Sequence, residues 1–219
     1  MLTFEAHISE KVNKANQIMG MIHRTFTTLN MSTFRCLFKV MVRPHLEFGQ
    51  TAWSPYKKKD IRVVENVLRR ASKLVPGLKT LSYSERLKQL NLPTMAYRRI
   101  RGDMIEVYKI LTGKYDKEVN IQLQRHTGHT RGNKLKLSKA RARTQLRQMF
   151  FTSRITNIWN SLPNDVIEAP STATFERRLD KFWSNQEVKY DFEEDLVIAP
   201  SHHLHIEDSD SDNDLDIEA

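Results

Sequence analysis

Cysteine is almost missing from this chain: Cys36 stands alone, which excludes an intramolecular disulfide and any zinc knuckle or ribbon built on cysteine pairs. It is read as a small buried apolar residue. Also missing is any apolar run near the roughly 20 residues that a bilayer span requires, and the opening MLTFEAHISEK lacks the charged-then-apolar pattern of a leader. The expectation is an intracellular protein, nuclear or cytoplasmic, with no membrane partner. Catalytic signatures are absent too. There is no GxGxxG, no GxxxxGK[ST], no GxSxG and no HExxH. Glu65, Glu85, Asp103 and Glu106 sit singly in helical patterns, where a solvated or ion-paired role is expected rather than acid–base work. No catalytic residue, no small-molecule substrate and no bound metal or cofactor is expected. His202, His203 and His205 lie near Glu207 and Asp208 without a scaffold to hold them as ligands. Ser209 and Ser211, in SDSD, are candidate phosphate acceptors.

One further absence carries the most information. From Val119 to Asn164 there is no acidic residue, while Arg125, Arg131, Lys134, Lys136, Lys139, Arg141, Arg143, Arg147 and Arg154 supply nine positive charges. An ordinary solvated face interleaves both signs, so this run points to a polyanion. The whole-chain charge of +9 conceals the contrast, because residues 187–219 carry a net −11 and residues 1–186 therefore +20. Nucleic acid is the expected partner, with Lys and Arg neutralising phosphates and releasing counterions. The competing reading is a basic surface that pairs with the chain's own acidic tail, and the two can coexist.

What is present is mostly helical. Val12, Ala15, Ile18, Met19, Ile22 and Phe26 recur at steps of three and four, predicting a helix over 9–28 with Ser9 as its N-cap. Phe34, Leu37, Phe38 and Met41 predict a second helix ending at Pro44. A third follows on Ile61, Val64, Leu68, Ala71 and Val75, stopped by Pro76 and Gly77. Ser82 and Glu85 have capping-box spacing, and Gly113 is placed to end a helix running through Ile100, Met104, Val107, Tyr108 and Leu111. Residues 1–113 thus read as a helical bundle and 114–186 as a basic C-terminal region, in which NKLKLSKARAR is expected to be extended. That region closes with apolar faces on Phe150, Phe151, Ile155, Ile158 and Trp159 and on Phe175, Leu179 and Phe182, with Ser171 as a cap. Residues 187–219 are expected to be a disordered acidic tail. The fold class is mainly α.

The stretch RPHLEFGQTAWSPYKKKDIR raises a separate question. Trp53 and Tyr56 are read as candidate stacking groups for bases, and Trp53, with Phe48, alternatively as packing between helices. Lys57, Lys58 and Lys59 precede a predicted helix start, where positive charge opposes the helix dipole and Asp60 is the expected cap. They fit phosphate contact or a solvated turn.

Across residues 1–186 the chain resembles the C-terminal part of the reverse transcriptase of non-LTR retrotransposons of the jockey and chicken-repeat group. The segments that carry the resemblance are KVNKANQIMGMIHRTF, LFKVMVRPHLEFGQTAWSPYKKKDI, LSYSERLKQLNL, RRIRGDMIEVYKILTGKYD and FFTSRITNIWNSLPNDVIEAPSTATFERRLDKFW. The resemblance implies a thumb-like bundle and a post-thumb region that grip a template–primer duplex. It also implies an upstream palm domain as a packing partner. The palm's magnesium-binding Asp–Asp pair occurs nowhere in this chain, so magnesium belongs only to a full-length parent polymerase and the fragment is expected to be non-catalytic. The expected nucleic-acid contacts are Lys57, Lys58, Lys59, Arg131, Lys134, Lys136, Lys139, Arg141, Arg143 and Arg147. Two alternatives remain: a host-adopted protein–protein interaction module, and an incomplete gene model of an active enzyme.

Overall fold

The computed structural model describes residues 4–116, 121–126, 133–139 and 141–198. Arg131, the three tail histidines and the two tail serines lie outside them. Among the described residues the secondary structure is helical, apart from one antiparallel bridge between Arg125 and Leu137.

Helix α1 (Glu5–Thr25) buries Ile8, Val12, Ala15, Ile18, Met19 and Ile22. It starts four residues before the expected cap: Ile8 is already on the buried stripe, so Phe4 flanks the start and Ser9 lies inside. Phe26 falls past the end and is exposed. Asn30 caps α2 (Met31–Leu37), its side chain accepting from the amide of Thr33. Pro44 does not end this helix. The chain widens into a π-helical turn at Phe38–Val42 and resumes as α3 (Arg43–Glu47), with the proline in its first turn. The wider turn accommodates a ring that would collide with the carbonyl four residues back in a regular α-helix. Cys36 faces solvent on this run, contrary to expectation, because the buried face is set by Phe34, Phe38 and Val42.

After α4 (Gln50–Trp53), α5 (Lys58–Ala71) packs Val64, Val67, Leu68 and Ala71 against α1. Its flanking residue is Lys57, and Asp60 sits in the first turn rather than at the cap. The capping box of α6 (Tyr83–Leu90) forms as its spacing predicts: Ser82 Oγ accepts from the Glu85 amide, and the Glu85 carboxylate accepts from the Ser82 amide. Leu87 and Leu90 are fully buried here, each contributing about 1.5–3 kcal/mol.

Helix α7 (Met95–Leu111) is the axis of the molecule. Met95 belongs to the first hydrophobic cluster, whereas Tyr97, Met104, Val107, Tyr108 and Ile110 belong to a second one shared with α9 (Phe151–Asn160), α10 (Asn164–Ile167) and α11 (Thr172–Phe182). The core therefore changes hands at the start of α7, not near residue 113 where composition changes. Gly113 ends the helix at φ +69°, as expected. Within the second core Tyr108 stacks on Phe175 at 4.4 Å and donates its hydroxyl to the carbonyl of Ala169 at 2.6 Å. Ser171 caps α11 by accepting from the Thr174 amide.

Residues 187–198, expected at the head of a disordered tail, are packed. A 3₁₀ turn at Glu187–Lys189 buries Val188, whose carbonyl accepts from Thr94 Oγ1 at 2.6 Å, and Phe192 lies edge-on to Tyr83. The acidic composition masked a few apolar side chains with somewhere to go. No helix among the described residues is long and apolar enough to cross a membrane.

Candidate nucleic-acid interface

The basic segment is built around α9. Two segments, 121–126 and 133–139, pair at one place, through the amide of His126 to the carbonyl of Lys136 and the amide of Ser138 to the carbonyl of Gln124. Side chains of α9 and α10 fasten the second piece. Asn160 accepts from the Leu137 amide at 2.8 Å and donates to the Leu137 carbonyl at 2.9 Å; the Trp159 indole donates to the carbonyl of Leu135, and Asn164 accepts from the amide of Lys134. Leu135 and Leu137 turn toward the core, Lys134 and Ser138 alternate outward, Lys136 is half-buried, and Lys139 is exposed although it is in step with the two leucines. The extended reading of this segment thus holds around Leu137, over 136–139, while Lys134 and Leu135 form a turn. Past residue 140 the chain turns into α8 (Gln145–Gln148), presenting Arg141, Arg143 and Arg147 to solvent.

Lys139, Arg141 and Arg147 border two adjoining grooves, whereas Arg143 is exposed outside both. One, of about 550 Å³, is walled by Lys139, Arg141, Gln148, Met149, Arg154 and Asn157. The other is lined by Gln122, Gln124, Ser138, Arg147, Thr152 and Thr156, and Ser153 lies in both. Among the described residues neither has a carboxylate in its lining. Lys139 donates to the amide oxygen of Asn157 at 3.2 Å, and the Arg147 guanidinium lies 5.4 Å from the Phe150 ring, which is exposed rather than packed inward as its spacing suggested. Among the described residues no ion pair reaches Lys139, Arg141, Arg143 or Arg147. Amides, hydroxyls and unneutralised cations are the groups that bind phosphate oxygens without regard to base.

The remaining cations of the run divide differently. Lys134 is extended into solvent but meets Glu168 at 2.7 Å, and that hydrogen bond raises its pKa. Arg125 donates to the carbonyl of Leu111. Arg154 is structural: it reaches Asp103 with two bonds, at 2.8 and 3.0 Å, and also donates to the carbonyls of Met149, Gln50 and Thr51. One side chain thereby joins α4, α7 and α9.

The other expected contacts, in RPHLEFGQTAWSPYKKKDIR, are not assembled with this site. Lys57 and Lys59 converge on Glu5 at 2.9 and 2.7 Å, and hydrogen bonds from Lys59 and Lys57 pull the Glu5 pKa down to about 2. Lys58 is exposed. Trp53 is buried, its indole donating to the carbonyl of Phe48 and its ring meeting His7 edge-on at 5.0 Å, so it has no face for a base. Phe48, expected to pack beside it, is instead largely exposed. Tyr56 is half-buried in a separate pocket with Arg99 and Ile61.

A buried polar centre escaped the sequence reading. Glu65 and Asp103, expected as solvated or simply paired carboxylates, lie inside. Glu65 accepts from the hydroxyl of Tyr83 and from the amide of Met95 at 2.9 Å, with Arg99 close enough to act on its charge. Burial pushes the Glu65 pKa up against these partners. The signal available was weak: Glu65 follows Val64 on the apolar stripe of α5, at the edge of the buried face.

Fold and site together define a helical protein with a carboxylate-free cationic groove beside one helix. Its sequence is similar to that of an uncharacterized protein of Caenorhabditis elegans, with 30% identity over 117 residues, covering 52% of this chain and 59% of the nematode protein. The chain thus matches little more than half the length of that relative. No family model matches the chain, and no solved structure does.

Proposed function

We propose that the protein binds nucleic acid through phosphates at the grooves around α9, as the non-catalytic C-terminal part of a non-LTR retrotransposon reverse transcriptase. The observation that carries the reading is the clustering of Lys139, Arg141 and Arg147 with hydroxyl and amide groups in grooves without a carboxylate. The segment resemblance narrows the polyanion to a template–primer duplex. A missing palm domain as partner draws support from the exposed apolar side chains of Met21, Phe26, Met31, Val40, Met41 and Phe48, which gather within residues 21–48.

The test is the affinity of a short RNA–DNA primer–template duplex, measured by fluorescence anisotropy across a salt series. Affinity is expected to fall steeply with salt, and replacement of Lys134, Lys136, Lys139, Arg141 and Arg143 by Ala is expected to flatten that slope. A salt-independent affinity, or an unchanged variant, would overturn the reading.

A further inference from the structure

The cationic groove and the acidic end of the chain lie close together, and the described part of that end already shows how the two charges meet. Residues 187–198 run back over the basic body: Arg62 pairs with Glu193 at 3.4 Å, and the Arg69 guanidinium sits 5.1 Å from the Phe192 ring. Gln186 then holds Val197 by two bonds, donating to its carbonyl at 3.1 Å and accepting from its amide at 2.9 Å. Leu196 lines a pocket together with Met149 and Arg154, and these same two residues wall the groove that holds Lys139 and Arg141. Leu196, two residues before the end of the described chain, therefore lies one shared wall away from the groove.

Beyond Ile198 lie 21 residues carrying seven carboxylates, Glu207, Asp208, Asp210, Asp212, Asp214, Asp216 and Glu218, with no lysine or arginine. Fully extended they reach about 70 Å, so chain length does not limit access to any part of the groove. Their charge spacing is that of a polyanion, with a carboxylate at every second residue from 208 to 216. Joined to a segment that lies one shared wall from the groove's cations, a polyanion of this kind acts at high effective concentration although each exposed pair is weak.

We infer that residues 199–219 occupy the Lys139–Arg141–Arg147 groove as an intramolecular polyanion and compete there with nucleic acid. The inference rests on the functional reading above and adds regulation to it. A tethered competitor reduces apparent affinity by the fraction of time the groove is occupied. Ionic strength weakens both contacts, so the competition is greatest at low salt.

The experiment compares the full chain with a full-length variant in which the seven carboxylates are neutralised (E207Q, D208N, D210N, D212N, D214N, D216N and E218Q). Backbone amide NMR shifts report the contact directly. Differences between the two chains are expected at Lys139, Arg141, Arg147, Ser153 and Asn157 at 50 mM salt, and they should vanish at 500 mM. Duplex affinity is expected to rise about tenfold on neutralisation at 50 mM salt and to differ less than twofold at 500 mM. Amide differences absent from the groove, or located instead along α5, would overturn the inference. Equal duplex affinities with a silent groove would overturn it while leaving the nucleic-acid reading intact. Groove shifts without duplex binding by either chain would uphold the tail contact and sink the nucleic-acid reading.

Discussion

The three lysines at the start of α5 and the cations around α9 carry the same formal charge in very different company. Lys57 and Lys59 share the carboxylate of Glu5, held so tightly in its ionised form that its pKa falls to about 2. Lys139, Arg141 and Arg147 face amides, hydroxyls and an aromatic ring. In the first group a single carboxylate offsets part of the charge, and a phosphate arriving at Lys57 or Lys59 competes with it. At the second, no carboxylate among the described residues competes with an arriving phosphate, and this is where counterion release does most for binding. Charge density along a sequence is therefore a poor guide to an interface until the internal partners are known.

The largest expected effect comes from Arg154, a cation of the basic run that behaves like neither group. Arg154→Ala leaves Asp103 buried without its partner and frees three carbonyls on α4 and before α9, so a loss of about 3–5 kcal/mol is expected in urea denaturation. A loss below 1 kcal/mol would place it with the exposed cations and break the division. Glu65→Ala follows, at about 2–3 kcal/mol, because the Tyr83 hydroxyl and the Met95 amide lose their acceptor in the interior. Glu65 also has a pH signature. Its pKa is raised on folding, so the folded chain holds the proton more tightly, and stability should fall as pH climbs from the ordinary carboxylate range through the raised value. An E65Q variant should lack that fall.

The joint replacement of Lys139, Arg141 and Arg147 by Ala is expected to change stability by less than about 0.5 kcal/mol, since among the described residues no ion pair reaches these side chains. A larger loss would mean that they serve structure and not an interface. The smallest effect belongs to Glu5→Gln. Its carboxylate has a depressed pKa, so its contribution is present above the ordinary carboxylate range and is lost as pH falls toward about 2. The variant should melt slightly below the native chain at pH 7, and the two melting temperatures should converge by pH 2.

The helical class and the capping residues Ser82, Ser171 and Gly113 were legible because each rests on local chemistry: a side-chain oxygen near a free amide, or a glycine able to turn left-handed. The outward placement of Lys134 beside Leu135 was legible in the same way, whereas Lys139, in step with Leu135 and Leu137, is exposed where alternation alone would turn it inward. Other features needed the fold. Pro44 reads as a stop unless a π turn precedes it, and nothing local announces that turn. Trp53 and Phe48 are interchangeable in an apolar pattern, yet one is buried and the other exposed, because burial was decided by His7 and the rest of α1 arriving from elsewhere. The pairing of Lys57 and Lys59 with Glu5 spans more than fifty residues, so the sequence could count those lysines but not discount them. The boundary near residue 113 marked a real change in charge. The core divides elsewhere because α7 offers apolar faces to both sides.

The central claim is that carboxylate-free surroundings, and not cation number, mark the interface. The most direct test measures primer–template duplex affinity from 50 to 500 mM salt for three chains: native, Lys139/Arg141/Arg147→Ala, and Lys57/Lys58/Lys59→Ala. Each triple replacement removes three positive charges. The groove variant should lose about tenfold or more in affinity at low salt and about three from the salt slope, whereas the α5 variant should stay within about threefold of the native chain. Equal losses from the two variants, or a larger loss from the α5 lysines, would contradict the account.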